Sequence, residues 1–167
     1  MRFVISGEMG RNRLLQVIVL LYSLYVGLLW VTNALLYFSK MSLSYASVVT
    51  YYLGSEQLFT EPRSYAGMLE ISHFHLFAMG MLLLVLTHLV LFIPLGNRAK
   101  IALIVAPFLS GLLDEGSGWL VRFASPLFAY AKIAGFLLLQ TSLAALVLLS
   151  VWSVTAGTSA NYRSGED

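Results

Sequence analysis

The chain has no cysteine. No disulfide, thiolate metal centre, iron–sulfur cluster or covalently attached c-type haem can therefore be assembled from its residues. Charge is scarce too. Asp, Glu, Lys and Arg make up 11% of the 167 residues, where a soluble domain carries about 25%. Hydrophobic residues make up 59%. That imbalance points to a membrane. The net charge is only +2, and the basic residues sit near the ends of apolar runs. They read as topology signals, not as a nucleic-acid-binding stripe. No segment is of low complexity and no internal repeat is evident, which fits poorly with the usual transporter design.

A span needs roughly 20 mostly apolar residues. Segments 14–38, 65–93, 99–123 and 126–154 qualify. The sequence therefore predicts an all-α fold, an integral membrane four-helix bundle, with 1–167 forming a single transmembrane domain. The first apolar run is too long for a cleavable signal and reads as a retained signal anchor. The short 94–98 connection makes the second and third spans an antiparallel hairpin. Segment 39–64 is the one long loop. It carries Tyr45, Tyr51, Tyr52 and Phe59, which suits a short amphipathic helix at the interface. Ser64, after Pro62, is the expected N-cap of the second span.

Orientation follows the distribution of Lys and Arg. Arg2, Arg11, Arg13, Arg98, Lys100 and Arg163 lie on one side, and Lys40, Arg63 and Arg122 on the other. The larger set puts both termini in the cytoplasm, and a bacterial inner membrane is the expected location of this multi-pass chain.

The three histidines, His73, His75 and His88, all fall in the second span. A histidine inside a bilayer is costly and marks a candidate functional site. His73 and His88 are fifteen residues apart, so on a helix they lie within about 60° of each other and about 22 Å apart along the axis. Glu70, Phe77, Gly80, Met81 and Leu84 share their stripe, and His75 points to nearly the opposite face. Two imidazoles on one face, with a glycine between them, is the layout by which one helix holds two stacked haems.

On His73 (or His75), Gly80 and His88, the second span resembles the haem-b helices of respiratory cytochrome b and related membrane four-helix haem proteins. The resemblance implies haem b, electron transfer across the membrane, and quinone or a c-type cytochrome as partner. Those families take each iron's second ligand from another helix, and no other span here contains histidine. The missing ligand would come from a methionine, another membrane subunit, or the same helix in a homodimer partner.

The same residues also permit a non-haem metal ion. Glu70 and His73 are i, i+3 and reach one point above the helix, with His75 and His88 as further ligands. A histidine–carboxylate set suits zinc, copper or iron, and equally a quinol site in which either group takes a proton. The plainest alternative is that each histidine hydrogen-bonds a neighbouring helix.

Asp114 and Glu115 lie roughly 20 Å into the third span. Either they are inside the membrane, protonated, paired or wet, or the span ends near Leu113 and they belong to an outer loop anchored by Trp119. Arg122 and Lys132 are their candidate partners, or partners of haem propionates or lipid phosphate. Asn33 and Gln140 are candidate interhelical hydrogen-bonders. Taken together, these features predict a membrane electron-transfer subunit that binds haem b or quinone within a larger respiratory or photosynthetic complex. It would be a redox or structural subunit more than a stand-alone enzyme. The competing expectations are a cofactor-free assembly subunit and a metal-binding membrane protein.

Overall fold

A computed structural model of the chain describes residues 13–93 and 95–163, the side chains of 156–163 excepted. Arg2, Arg11 and Pro94, which entered the topology reading, lie outside the described residues. Five α-helices follow one another: α1 (Arg13–Lys40), α2 (Tyr45–Leu53), α3 (Tyr65–Val90), α4 (Asn97–Phe123) and α5 (Ala129–Arg163). A 3-10 turn, Pro126–Phe128, leads into α5. Helices α1, α3 and α4 and the segment Pro126–Thr155 are long and apolar enough to cross a membrane.

Local chemistry accounts for the helix starts. Ser64 N-caps α3, its hydroxyl accepting from the Gly67 amide at 3.2 Å, as the sequence predicts. Ser44 caps α2 in the same way through the Ser47 amide. Ser125 accepts from the Leu127 amide, and Pro126 follows at a first-turn position where its missing N–H costs nothing. Helix α2 is the short helix expected in the 39–64 loop. Helix α5 continues to Arg163, beyond the apolar run that ends at 154, because a helix leaving the bilayer no longer needs apolar side chains.

Helix α4 runs unbroken to Phe123. That sets aside the early end at Leu113: Asp114 and Glu115 are inside the helix, about 13 Å from its end. Gly111 and Gly118 serve close packing there, against Met79 and Tyr52, whereas a Cβ on Gly116 would meet nothing within 4 Å. A Cβ on Gly118 would lie 2.6 Å from the Tyr52 hydroxyl, and one on Gly135 of α5 would lie 2.7 Å from the Asp114 amide nitrogen. Backbones approach this closely only where the side chain is absent. Accordingly α4 and α5 form the most intimate pair in the bundle, α1 packs on α5, and α3 packs on α4 and α5. Helix α2 lies across α4 and α5 at the end of the bundle where α1 ends and α3 begins.

Two side-chain clusters fill the interior. One joins Val26, Leu83, Leu86, Val90, Leu139, Leu143 and Leu146. The other joins Tyr37, Met41, Val48, Tyr52, Met68, Val121 and Phe136. Most outward positions are large and apolar, as lipid contact requires: Leu14, Ile18, Leu21, Leu28 and Leu35 on α1 are all exposed.

Candidate functional site

Helix α3 points its histidines in different directions. His75 turns toward α4, and its Nδ1 lies 3.3 Å from Glu115 Oε2. Ser72, one turn earlier on α3 and buried, donates its hydroxyl to Glu115 Oε1. Trp119 Nε1 donates to the same Ser72 oxygen at 2.7 Å. An indole N–H can only donate, so the Ser72 oxygen accepts there and its proton is directed to Glu115. Both oxygens of Glu115 thus face a donor-capable group, and Trp119 fixes the sense of the chain. The register comes from helix geometry. Ser72 and His75 are i, i+3 on α3, and Glu115 and Trp119 are i, i+4 on α4, so each pair shares a face.

A second ion pair lies beside the first. Lys132 Nζ stands 2.8 Å from Asp114 Oδ1, with side chains only 9% and 15% exposed. The ammonium also donates to the Asp114 carbonyl at 3.1 Å. Two opposite charges at this depth are tolerable because each neutralises the other.

These pairs border one cavity of about 160 Å³. Asp114, Glu115, Gly118, Lys132 and Phe136 form its floor on α4 and α5. Helix α1 contributes Asn33, Leu36, Tyr37 and Lys40, and α3 contributes Met68, Ile71, Ser72 and His75. Tyr52, from α2, closes the end. Burial pushes the Tyr52 phenol up to about 12. The Tyr37 hydroxyl is buried and has no hydrogen-bond partner among the described residues. Its ring stacks on Phe136 at 3.7 Å between centroids, 13° from parallel.

The other sequence candidates fall elsewhere. Glu70, His73 and His88 are exposed on the outward face of α3. Gly80 is half-buried, and a Cβ there would meet nothing within 4 Å. Among the described residues no group of three or more histidine, aspartate or glutamate side chains could hold a metal ion, so Glu70, His73, His75 and His88 are not drawn together. A haem fits this chain's residues only in part. His73 and His88 could each give one ligand from the same outward face, while His75 is turned toward Glu115. Of the two cations, Lys132 is bound to Asp114, and Arg122 Nε donates to the Arg63 carbonyl at 2.9 Å.

Sequence reasoning singled out His75, Asp114, Glu115 and Lys132, left Tyr37 open between core, lipid face and quinone wall, and missed Ser72 and Trp119 as a donor. One signal was available. Ser–Gly occurs at 110–111 and again at 117–118, two turns apart on α4, and all four residues are buried. Small residues mark the faces where membrane helices meet, so this repeat locates the side of α4 near which Asp114 and Glu115 lie.

Neither a curated protein nor a solved structure matches the chain. A family model for a transmembrane helical domain matches residues 42–161, from just before α2 into the end of α5. This chain, a multi-pass integral membrane protein, belongs to that family of transmembrane helical domains, Aq_1264_TM.

Proposed function

We propose that the protein is a subunit of a membrane redox complex and binds a quinol head in the cavity at the α2 end of the bundle. The observation that carries this reading is the His75–Glu115 pair, hydrogen-bonded through Ser72 to Trp119, on the wall of a cavity of mixed polar and apolar lining at the α2 end of the spans. Oxidising a quinol releases two electrons and two protons. An imidazole beside a carboxylate is an acceptor for such a proton. The electrons pass to a partner, of which another membrane subunit or a c-type cytochrome is the natural class. The family match supports the membrane setting, and the Lys and Arg distribution supports a bacterial inner membrane with cytoplasmic termini.

The test uses purified protein in detergent. A quinone quenches tryptophan fluorescence, and Trp119 borders the site. Saturable quenching by decylubiquinone, weakened about tenfold by Glu115→Gln, is the expected result. Wild-type protein with no saturable response would sink the reading.

The outward pair on α3 supports a second arrangement. His73 and His88 share a lipid-facing stripe, and Gly80 between them has open space beside it. Haem b held there would take its other ligands from a partner subunit or a second copy of the chain. A Soret band and a sharp reduced α-band in the isolated complex, lost on His73→Ala or His88→Ala, would support it. A colourless complex that binds no quinone favours the cofactor-free assembly role, and metal without haem favours the metal-binding one.

A further inference from the structure

We infer that the ligand is an alkyl-tailed quinol that enters sideways from the bilayer, through the cleft between α1 and α3, with its head anchored by the Tyr37 hydroxyl. The inference rests on the quinol reading and extends it to the route, the tail and the far-side contact.

The route follows from how the helices pair. Helix α1 packs on α5, and α3 on α4 and α5, but α1 and α3 are not a principal pair. Toward the start of α1 and the end of α3 they are joined through side chains, with the Tyr22 hydroxyl donating to the Leu82 carbonyl and Val26 packed with Leu83 and Leu86. Toward α2 the cavity lies between them. Its α1 and α3 edges carry Leu36 and Ile71, which line the cavity and are nonetheless 48% and 40% exposed. Lining residues that stay exposed mark a mouth. Leu36 and Ile71 lie on spanning helices, so their side of the mouth faces acyl chains, while Lys40 and Ser64, which also line the cavity and are exposed, mark its interfacial end. An amphiphile suits both sides: its polar head enters the cavity and its tail stays in the lipid.

The anchor follows from Tyr37. This side chain is 6% exposed, lines the cavity, and its hydroxyl has no partner among the described residues. Stacking on Phe136 holds the ring in place. A phenol held dry without an acceptor is unfavourable, so a ligand oxygen that accepts its proton is favoured there. The His75–Glu115 pair lies on another wall of the same cavity, where the imidazole can accept from a quinol hydroxyl or donate to a quinone carbonyl. A head with two opposed oxygens meets both walls, one oxygen accepting from Tyr37 and the other facing the imidazole.

The test compares decylubiquinone with ubiquinone-0, which has the same head and no tail, by tryptophan quenching on wild type, Leu36→Trp, Ile71→Trp and Tyr37→Phe. Wild type should bind the tailed ligand at least tenfold more tightly. Each tryptophan at the mouth should erase most of that preference and leave ubiquinone-0 unchanged. Tyr37→Phe should weaken both ligands roughly five- to tenfold, the value of one neutral hydrogen bond. Mouth variants that weaken both ligands alike, or neither, overturn the lateral route. A Tyr37→Phe chain that binds as wild type does overturns the anchor. Displacement of decylubiquinone by oleate at equal concentration overturns the quinol class in favour of a general lipid groove. In each of these cases wild type still binds quinone. Failure of wild type to bind either quinone removes the underlying reading and the inference together.

Discussion

The half of the bundle toward the start of α1 and the end of α3 is packed with Val26, Leu83, Leu86, Val90, Leu139, Leu143 and Leu146. The half near α2 is packed with Tyr37, Met41, Tyr52, Met68 and Phe136, and it holds both ion pairs and the cavity. The two halves share α1, α3 and α5, so the contrast is one of side chains and not of architecture. In lipid an aliphatic interior gains little over lipid contact, because acyl chains are as apolar as leucine. The aliphatic half is held by shape. The α2 half carries aromatic rings, hydroxyls and charges that lipid cannot satisfy, and it is held because those groups satisfy one another. Groups that costly in a membrane are retained where they serve a site.

The largest expected effect comes from breaking the buried pair on one side only. Lys132→Met leaves the Asp114 carboxylate without its cation at 15% exposure, which should cost about 3–5 kcal/mol. Adding Asp114→Asn should return most of it, because a neutral pair no longer carries an uncompensated charge. Reversible unfolding in mixed detergent micelles measures both variants. A single variant as stable as wild type would show that the pair is not what holds the α2 half together.

Leu86→Ala probes the other half. Leu86 is fully buried. In water such a truncation costs roughly 2–5 kcal/mol. In a bilayer the transfer part is absent and the packing part stays, so about 2 kcal/mol is expected. The same micelle assay reads it. Quinone affinity should be unchanged, since the cavity is lined from the opposite half. A loss of affinity as large as that of Glu115→Gln would mean the two halves are coupled and the contrast between them is superficial.

How much of this was legible beforehand follows from the same physics. Span number, the α2 helix in the loop and the Ser64 cap were readable because hydropathy and capping are local. The stripe joining His73, Gly80 and His88 was also readable, but not the direction it faces. In a soluble helix the apolar face announces the interior. In lipid both faces are apolar, and periodicity falls silent on which is inward. That is why the stripe drew attention first, although His75, off the stripe, is the histidine that meets a carboxylate. The partners of His75 depend on α4 staying helical past Leu113, where Gly118 and Gly135 seat Tyr52 and the Asp114 backbone. Gln140 illustrates the limit differently. The sequence offers its side chain as a helix-joining group, yet its backbone carbonyl accepts from Trp30 Nε1, and its buried amide has no partner among the described residues.

Tyr52 gives the finest comparison, because it belongs to the α2 half without lying on a spanning helix. Its phenol is pushed from 10.0 to about 12, chiefly by burial. The folded chain therefore holds this proton more tightly than the unfolded chain, and deprotonation favours unfolding. The contribution is fully present below pH 10 and is lost as pH rises through 10 toward 12, by at most about 3 kcal/mol. Tyr52→Phe has no proton to lose and should flatten that part of the stability profile. It also keeps the ring beside Gly118, so any change in slope reports ionisation and not lost packing. Leu86→Ala should leave the slope as in wild type, because nothing it touches titrates in that range. A Tyr52→Phe profile that falls as steeply as wild type between pH 10 and 12 would assign the alkaline loss to other groups, and would place Tyr52 in the packing of the α2 half without a part in its electrostatics.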